Sequence, residues 1–213
     1  TSGRGRKGRI WISPPGTNLY ISLVLRPPVS PAEASQIPIL AVIAILRTMM
    51  ETAPDLSLQI KWPNDVFAGE KKISGTLCEM KAEIDRVDHV IVGVGMNVNM
   101  NVPMELKDIA TSMKAETSIT YSRARLAALL LKKFEDLYAE WLKMGDLSDF
   151  QQEWKDHSML LGKRVDVKTP AKIISGWSAG IDPGGALKLE YPDGRVRFVY
   201  AGDASLHDSG PVS

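Results

Sequence analysis

"KISGTLCEMK" (residues 72–81) and "HVIVGVGMNVN" (residues 89–99) flank a short polar link that holds Asp85 and Arg86. Both runs read as strands, with the link as the turn between them. The second is apolar as far as Val94 and carries Gly93 and Gly95, with Asn97 and Asn99 beyond. Alternate glycines in a strand mark a place where a ligand or another backbone passes close by. The run is not a dinucleotide fingerprint, because Val98 occupies the third glycine position.

The reading extends outward from this pair. "LSLQIKW" (residues 56–62) puts Leu56, Leu58, Ile60 and Trp62 on one face, so it is a strand, and Pro63 breaks it. "NLYISLVLRP" (residues 18–27) is another strand ending at a Pro-Pro pair. Ser30-Pro31-Ala32-Glu33 supplies an N-cap, a first-turn proline and a capping-box glutamate. Ile37, Leu40, Ala41, Ala44, Ile45 and Met49 follow at helical spacing, and Pro38 predicts a kink or a fresh start there. Leu126, Leu130, Phe134, Leu137 and Trp141 form one stripe of a helix over residues 122–144, which Gly145 can end. From about Leu161 to Leu206 short alternating runs are parted by "DPGG" (182–185) and "PDG" (192–194), the pattern of a small all-β barrel of about five strands. The expected division is a core of strands and helices over residues 1–158 and a β module over 159–213.

The totals bound the function. The chain has 213 residues, with 26 Lys+Arg against 25 Asp+Glu, a net charge of +1. A general nucleic-acid coat or a membrane-surface protein would be more basic, so any cation cluster is a local device. Cys78 is the single cysteine, so no internal disulfide forms, and a reducing, cytoplasmic setting is expected. The longest strongly apolar run, residues 37–46, is too short to span a bilayer, and no membrane partner is expected. His89, His157 and His207 are scattered, and Ser2 and Ser13 have no paired base, so no metal cluster or triad is written in the chain.

Against this neutral background, "GRGRKGRIW" (residues 3–11) places Arg4, Arg6, Lys7 and Arg9 among Gly3, Gly5 and Gly8, with Trp11 close behind. Glycines free the backbone to wrap a ligand, and guanidinium forks match phosphate and carboxylate oxygens. Read alone, the stretch fits a nucleic-acid tail, a solvated charge run or a loop closing over a small polyanion. "KWPND" (residues 61–65) presents Asn64 and Asp65 at a strand end, where ligands of strand-and-helix proteins bind, although Pro-Asn-Asp is also an ordinary turn. Lys72 opens the next strand, followed by Gly75.

Taken in order, "GRGRKGRIW", "KWPND", "KKISG", "GVGMNVN" and "GIDPGGALKLEYPDG" (residues 180–194) resemble the biotin protein ligases over essentially the whole chain. The resemblance implies an α+β fold: a mixed sheet with helices on one face, like that of class II aminoacyl-tRNA synthetases, then a small SH3-like β-barrel. It implies that biotin's carboxylate attacks the α-phosphate of ATP, with Mg²⁺ present, to give biotinyl-5′-AMP. A lysine on the biotin carboxyl carrier domain of acetyl-CoA carboxylase or a related carboxylase then takes the biotin. By position, Arg4 and Arg6 bracket the carboxylate and α-phosphate, with Gly3 and Gly5 beside them on the biotin side. Arg9 reaches the phosphates and Trp11 packs on the adenine. Lys72 binds the anhydride from the other side, and Gly75, Gly93 and Leu77 line the ureido ring system. Asn64 and Asn97 contact nucleotide or metal-linked phosphate oxygens, and Asp65 orients and deprotonates the acceptor lysine.

The family also carries a first strand, a Ser/Thr-rich biotin loop and a glutamine ahead of the arginine–glycine loop. A chain starting at Thr1 is therefore expected to lack its N-terminal part. A homodimer through a sheet edge is a further partner the resemblance implies. Some members carry an upstream helix-turn-helix and repress genes, so a DNA-binding regulator is the competing class, and a lipoate-type ligase is the nearest enzymatic one.

Overall fold

The computed structural model describes residues 3–207. Its larger sheet has five strands: β3 (Leu19–Leu25), β4 (Leu58–Lys61), β5 (Asp65–Ala68), β6 (Lys71–Ala82) and β7 (Val87–Met96), in the spatial order β3-β7-β6-β5-β4. Ahead of them, β1 (Gly3–Arg4) and β2 (Ile10–Trp11) pair as a small hairpin whose tip is the arginine–glycine loop. The strand pair read from the sequence is β6–β7, with Asp85 and Arg86 in its turn.

Every ladder of the larger sheet is antiparallel, which corrects the expected mixed sheet. The reason is connectivity: β4 to β7 follow one another through turns too short for the crossover that parallel pairing requires. Parallel pairing among the described residues is confined to isolated bridges at Ile60–Ser158 and Lys72–Ala110.

Ser30 and Glu33 make the expected capping box at α1 (Pro31–Ala34). The chain then starts afresh at α2 (Ile37–Thr52), with Pro38 in its first turn, where a missing N–H is harmless. Residues 39–46 of α2 are buried on every side. A helix apolar all round belongs in a core, and α2 lies between the sheet and α4 (Arg123–Met144). That placement explains the length and apolarity of residues 31–52 without a bilayer. The stripe Leu126, Leu130, Phe134, Leu137 and Trp141 is buried, and Gly145 caps α4 in the left-handed conformation. The short helices α3 (Met113–Thr117) and α5 (Gln151–His157) complete the helical set.

The second sheet is also five-stranded and antiparallel: β8 (Arg164–Lys168), β9 (Ile173–Ile181), β10 (Leu187–Glu190), β11 (Val196–Val199) and β12 (Asp203–Leu206), in the order β11-β10-β9-β8-β12. Its turns fall at the "DPGG" and "PDG" stretches, as read. It docks on the larger unit through specific polar contacts. Trp62 Nε1–H donates to the Gly185 carbonyl at 3.0 Å, and the Gln151 amide to the Ile181 carbonyl at 2.7 Å. Residues 208–213, the tail of the expected β module, lie outside the described residues.

Candidate functional site

Period-two alternation gives β7 two faces. Val90, Val92, Val94 and Met96 are buried under the helices. Gly93 and Gly95 point the other way, and cross-strand pairing sets Leu77 beside Gly93 and Gly75 beside Gly95, with Asp65 next in line on β5. A face paved with glycine leaves bare backbone on which flat groups can lie.

Simple alternation would send Lys72 to the core face with Ser74 and Thr76. A bulge prevents this. Ser74 pairs with Val66 but Lys72 with Phe67, so Ile73 is an extra residue on β6. The extra residue re-aims Lys72 to the glycine face, a common use of bulges beside active sites. Lys72 Nζ then stands 2.6 Å from Asp65 Oδ1. The contact is set by charge rather than hydrogen-bond alignment, and buried Oδ1 has no other donor among the described residues. The pair lies over Gly75: a Cβ there would come within 2.8 Å of Lys72 Cε and 3.0 Å of Asp65 Oδ1.

Trp11 covers the neighbouring glycine. A Cβ on Gly95 would meet the indole at 2.9 Å, and Lys72 Nζ is 5.2 Å from the ring centroid. That distance suits a cation–π contact. Trp11 Nε1 is buried with no partner among the described residues, so a donor is held in reserve. The hairpin that delivers Trp11 is braced by Gly3, whose N–H donates to Ser13 Oγ at 3.1 Å.

The loop itself crosses toward "KWPND" and the β module. Arg6 donates to Asn64 Oδ1 at 2.9 Å and to the Gly202 carbonyl at 3.1 Å. It also pairs with Asp203 at 3.0 Å, joined there by Lys7 at 2.7 Å and Arg9 at 3.6 Å. Partial burial pushes the Asp203 carboxyl up, but the Lys7 hydrogen bond and the charges of Arg6, Lys7 and Arg9 outweigh it and hold the group below the usual carboxylate range. The Gly5 N–H closes the loop on the Arg9 carbonyl at 2.7 Å. Arg4 is exposed and has no ion pair among the described residues.

The structure thus gathers Arg6, Asn64, Asp65, Lys72, Gly75 and Trp11 around one end of the sheet, with Leu77 and Gly93 adjacent. A cleft of about 210 Å³ continues from Arg6 and Asn64 past Leu77 and Thr76 to Trp62 and Tyr200. Asn97 is placed differently. It is buried, its amide donates to the Thr111 carbonyl at 2.9 Å, and it contacts Asn18 at 3.4 Å, so it braces the turn after β7. Asn64 is engaged at both ends, its amide N–H donating to the Thr76 carbonyl at 2.6 Å and its Oδ1 accepting from Arg6. The sequence reading did not anticipate Asp203 or Gly202; Arg6 and the Gly202 carbonyl it meets are 196 residues apart, and no local motif signals that contact.

Chemically, four cations (Arg6, Lys7, Arg9, Lys72) face two carboxylates (Asp65, Asp203), and exposed Arg4 on the same loop adds to a local excess suited to a polyanion. Among the described residues no group of three or more His, Cys, Asp or Glu side chains gathers to hold a metal ion. Burial pushes the Cys78 thiol up to about 12, only partly offset by the charge of Arg6, so it is no nucleophile at neutral pH.

Residues 1–97 match the biotin/lipoate A/B protein ligase family, and residues 160–207 match the biotin protein ligase C-terminal domain. A biotin–[acetyl-CoA-carboxylase] ligase of Paracoccus denitrificans is 31% identical over 202 residues, covering 91% of this chain and 82% of that protein. The chain belongs to the biotin protein ligase family. The bifunctional ligase/repressor BirA of Bacillus subtilis is 36% identical over 209 residues, 97% of this chain but 63% of that protein. Among solved structures, the biotin protein ligase of Aquifex aeolicus in complex with biotin and ATP superposes with a TM-score of 0.82 at 29% identity, covering 96% of this chain and 84% of that one. The chain therefore spans less than two thirds of the length of the Bacillus relative and most of the Aquifex one.

Proposed function

We propose that the protein activates biotin with ATP to biotinyl-5′-AMP, releasing pyrophosphate, and passes biotin to a lysine amine of a carboxyl carrier domain, releasing AMP. The observation that carries the reading is the meeting of Lys72 and Trp11 on the glycine-paved face of β6 and β7, with Arg6 held by Asn64 at the neighbouring strand end. Bringing a carboxylate against a triphosphate juxtaposes like charges, and fixed cations offset that repulsion at the moment of attack. Lys72 serves the reacting anhydride from the sheet, and Arg4 and Arg6 serve it from the loop. Arg9 holds phosphate oxygens. Trp11 offers a flat face to adenine, while Gly75, Gly93 and Leu77 receive the biotin rings beside Gly3 and Gly5. Asn64 acts through Arg6, whose guanidinium its Oδ1 holds at the phosphate end. Asn97 acts one step back, through the turn it braces. Mg²⁺ enters as part of MgATP, carried by the phosphate oxygens.

The second step needs a neutral amine. A free lysine has a pKa near 10.4, so only about one part in 2,500 is neutral at pH 7. Asp65 takes that proton once the acceptor displaces Lys72 from it. The five-stranded module, residues 159–213 on this reading, is an SH3-like barrel that closes one side of the site, and residues 1–158 form the catalytic unit. The test is biotin-dependent pyrophosphate release from MgATP, with lipoate and octanoate as rival acids. Release with biotin alone is expected; release with lipoate alone would transfer the reading to the lipoate branch. The Bacillus relative's name and extra length favour a second role as a DNA-binding repressor. Adenylate-dependent retardation of an operator fragment by the full-length protein tests it.

A further inference from the structure

Three of the loop's four cations are already spent on one carboxylate that belongs to the other module. Arg6, Lys7 and Arg9 all point at Asp203, the first residue of β12. Its support is rigid. Gly202 holds a φ of 157°, open only to glycine, and a Cβ there would strike Val167 Cγ1 at 2.7 Å. Asp203 then pairs with Lys168 in the β8–β12 ladder. The carbonyl of Gly202 is thus aimed at Arg6 by the backbone itself, and the short Asp203 side chain reaches the same guanidinium from the paired end of β12. On the loop side, Lys7 accepts a left-handed φ of 55°, unusual for a residue with a side chain, and its ammonium reaches Asp203 from there.

We propose that Asp203 is a positioning residue: an internal counter-anion that holds the arginine–glycine loop against the β module until a polyphosphate takes over its cations. The inference rests on the ligase reading for the identity of the competing anion, but not for the latch itself. It gives the β module a defined part in adenylation, which is to set the resting place of the loop. Arg4, exposed and without an ion pair among the described residues, is the loop cation available to make the first contact with the incoming anion. Exchange of one anion for another lets the loop change partners without leaving a cluster of cations uncompensated.

The loop carries its own reporter, since trypsin cuts after Arg4, Arg6, Lys7 and Arg9. In the ligand-free protein, Asp203→Asn is expected to speed cleavage at these four bonds about fivefold, and raising NaCl from 50 to 500 mM should do the same to the wild type, because partly exposed ion pairs are screened. The salt arm needs no variant, so it stands even where the substitution disturbs folding. Binding of inorganic tripolyphosphate should tighten about threefold in Asp203→Asn, as its competitor is gone. Unchanged cleavage in both arms, or tripolyphosphate binding weakened by the substitution, overturns the proposal. Failure of the ligase reading would show instead as absent adenylate formation, with the ligand-free cleavage result intact.

Discussion

The two faces of β6 and β7 are made by alternate residues of the same strands, yet they answer to different physics. On one face Val90, Val92, Val94 and Met96 are sealed against the helices, where volume and apolarity decide everything. On the other, Gly75 and Gly95 give up side-chain packing so that Lys72, Asp65 and Trp11 can lie close over the backbone. One strand pair therefore holds the fold together with its odd or even residues and does chemistry with the rest. Substitutions on the first face should unfold the protein, and those on the second should disarm it.

The largest expected effect tests the core side. Met96→Ala removes a fully buried side chain and should cost about 3 kcal/mol, lowering the melting temperature by roughly 9 °C. Activity measured well below that temperature should survive. On the glycine face the pattern inverts. Lys72→Ala should cut adenylate formation about a hundredfold, the scale of losing one preorganised charge donor. Its melting temperature should fall less than that of Met96→Ala, because both side chains of the pair keep partial exposure even though Asp65 Oδ1 loses its cation. A Lys72→Ala protein that melts early but turns over normally would erase the distinction between the faces.

Asp65→Asn separates the two chemical steps. With preformed adenylate in single turnover, transfer to an acceptor lysine should slow about tenfold or more, as expected when a general base is lost. An unchanged rate would remove Asp65 from the second step. Gly95→Ala is subtler: the new methyl must push the Trp11 indole outward. Preformed adenylate should then escape about tenfold faster in rapid gel filtration, while the sheet stays intact. The smallest effect belongs to the solvated face of the β module. Arg195 is exposed and meets Asp193 and the Tyr191 ring of its own turn, so Arg195→Ala should alter stability by about 0.5 kcal/mol at most and leave turnover alone.

Much of the fold was legible because alternation, capping and turn residues are local signals. The capping box at Ser30, the restart at Pro38 and the buried stripe of α4 all follow from spacing alone. The antiparallel register of the sheet also follows once the turns between β4 and β7 are seen to be short, a step the expected mixed sheet passed over. The face of Lys72 was not legible. Alternation from Ser74 and Thr76 points it into the core, and only the pairing across to β5 reveals Ile73 as an extra residue. Asn97 shows the converse: its residue type suits phosphate contact, but burial commits its amide to the Thr111 carbonyl. Asp203 lies beyond any sequence window, since its role depends on two modules meeting.

Five tryptophans sample these regions separately: Trp11 on the glycine face, Trp62 at the junction of the modules, Trp141 and Trp154 in the core, and Trp177 on the outer β module. The most direct measurement is fluorine NMR of 5-fluorotryptophan-labelled protein, titrated with biotin and a non-hydrolysable ATP analogue. The account predicts a large shift of the Trp11 resonance on addition of both ligands, a smaller one at Trp62, and none at Trp141, Trp154 or Trp177. A stationary Trp11 with movement at Trp177 would contradict it and place the binding surface on the β module instead.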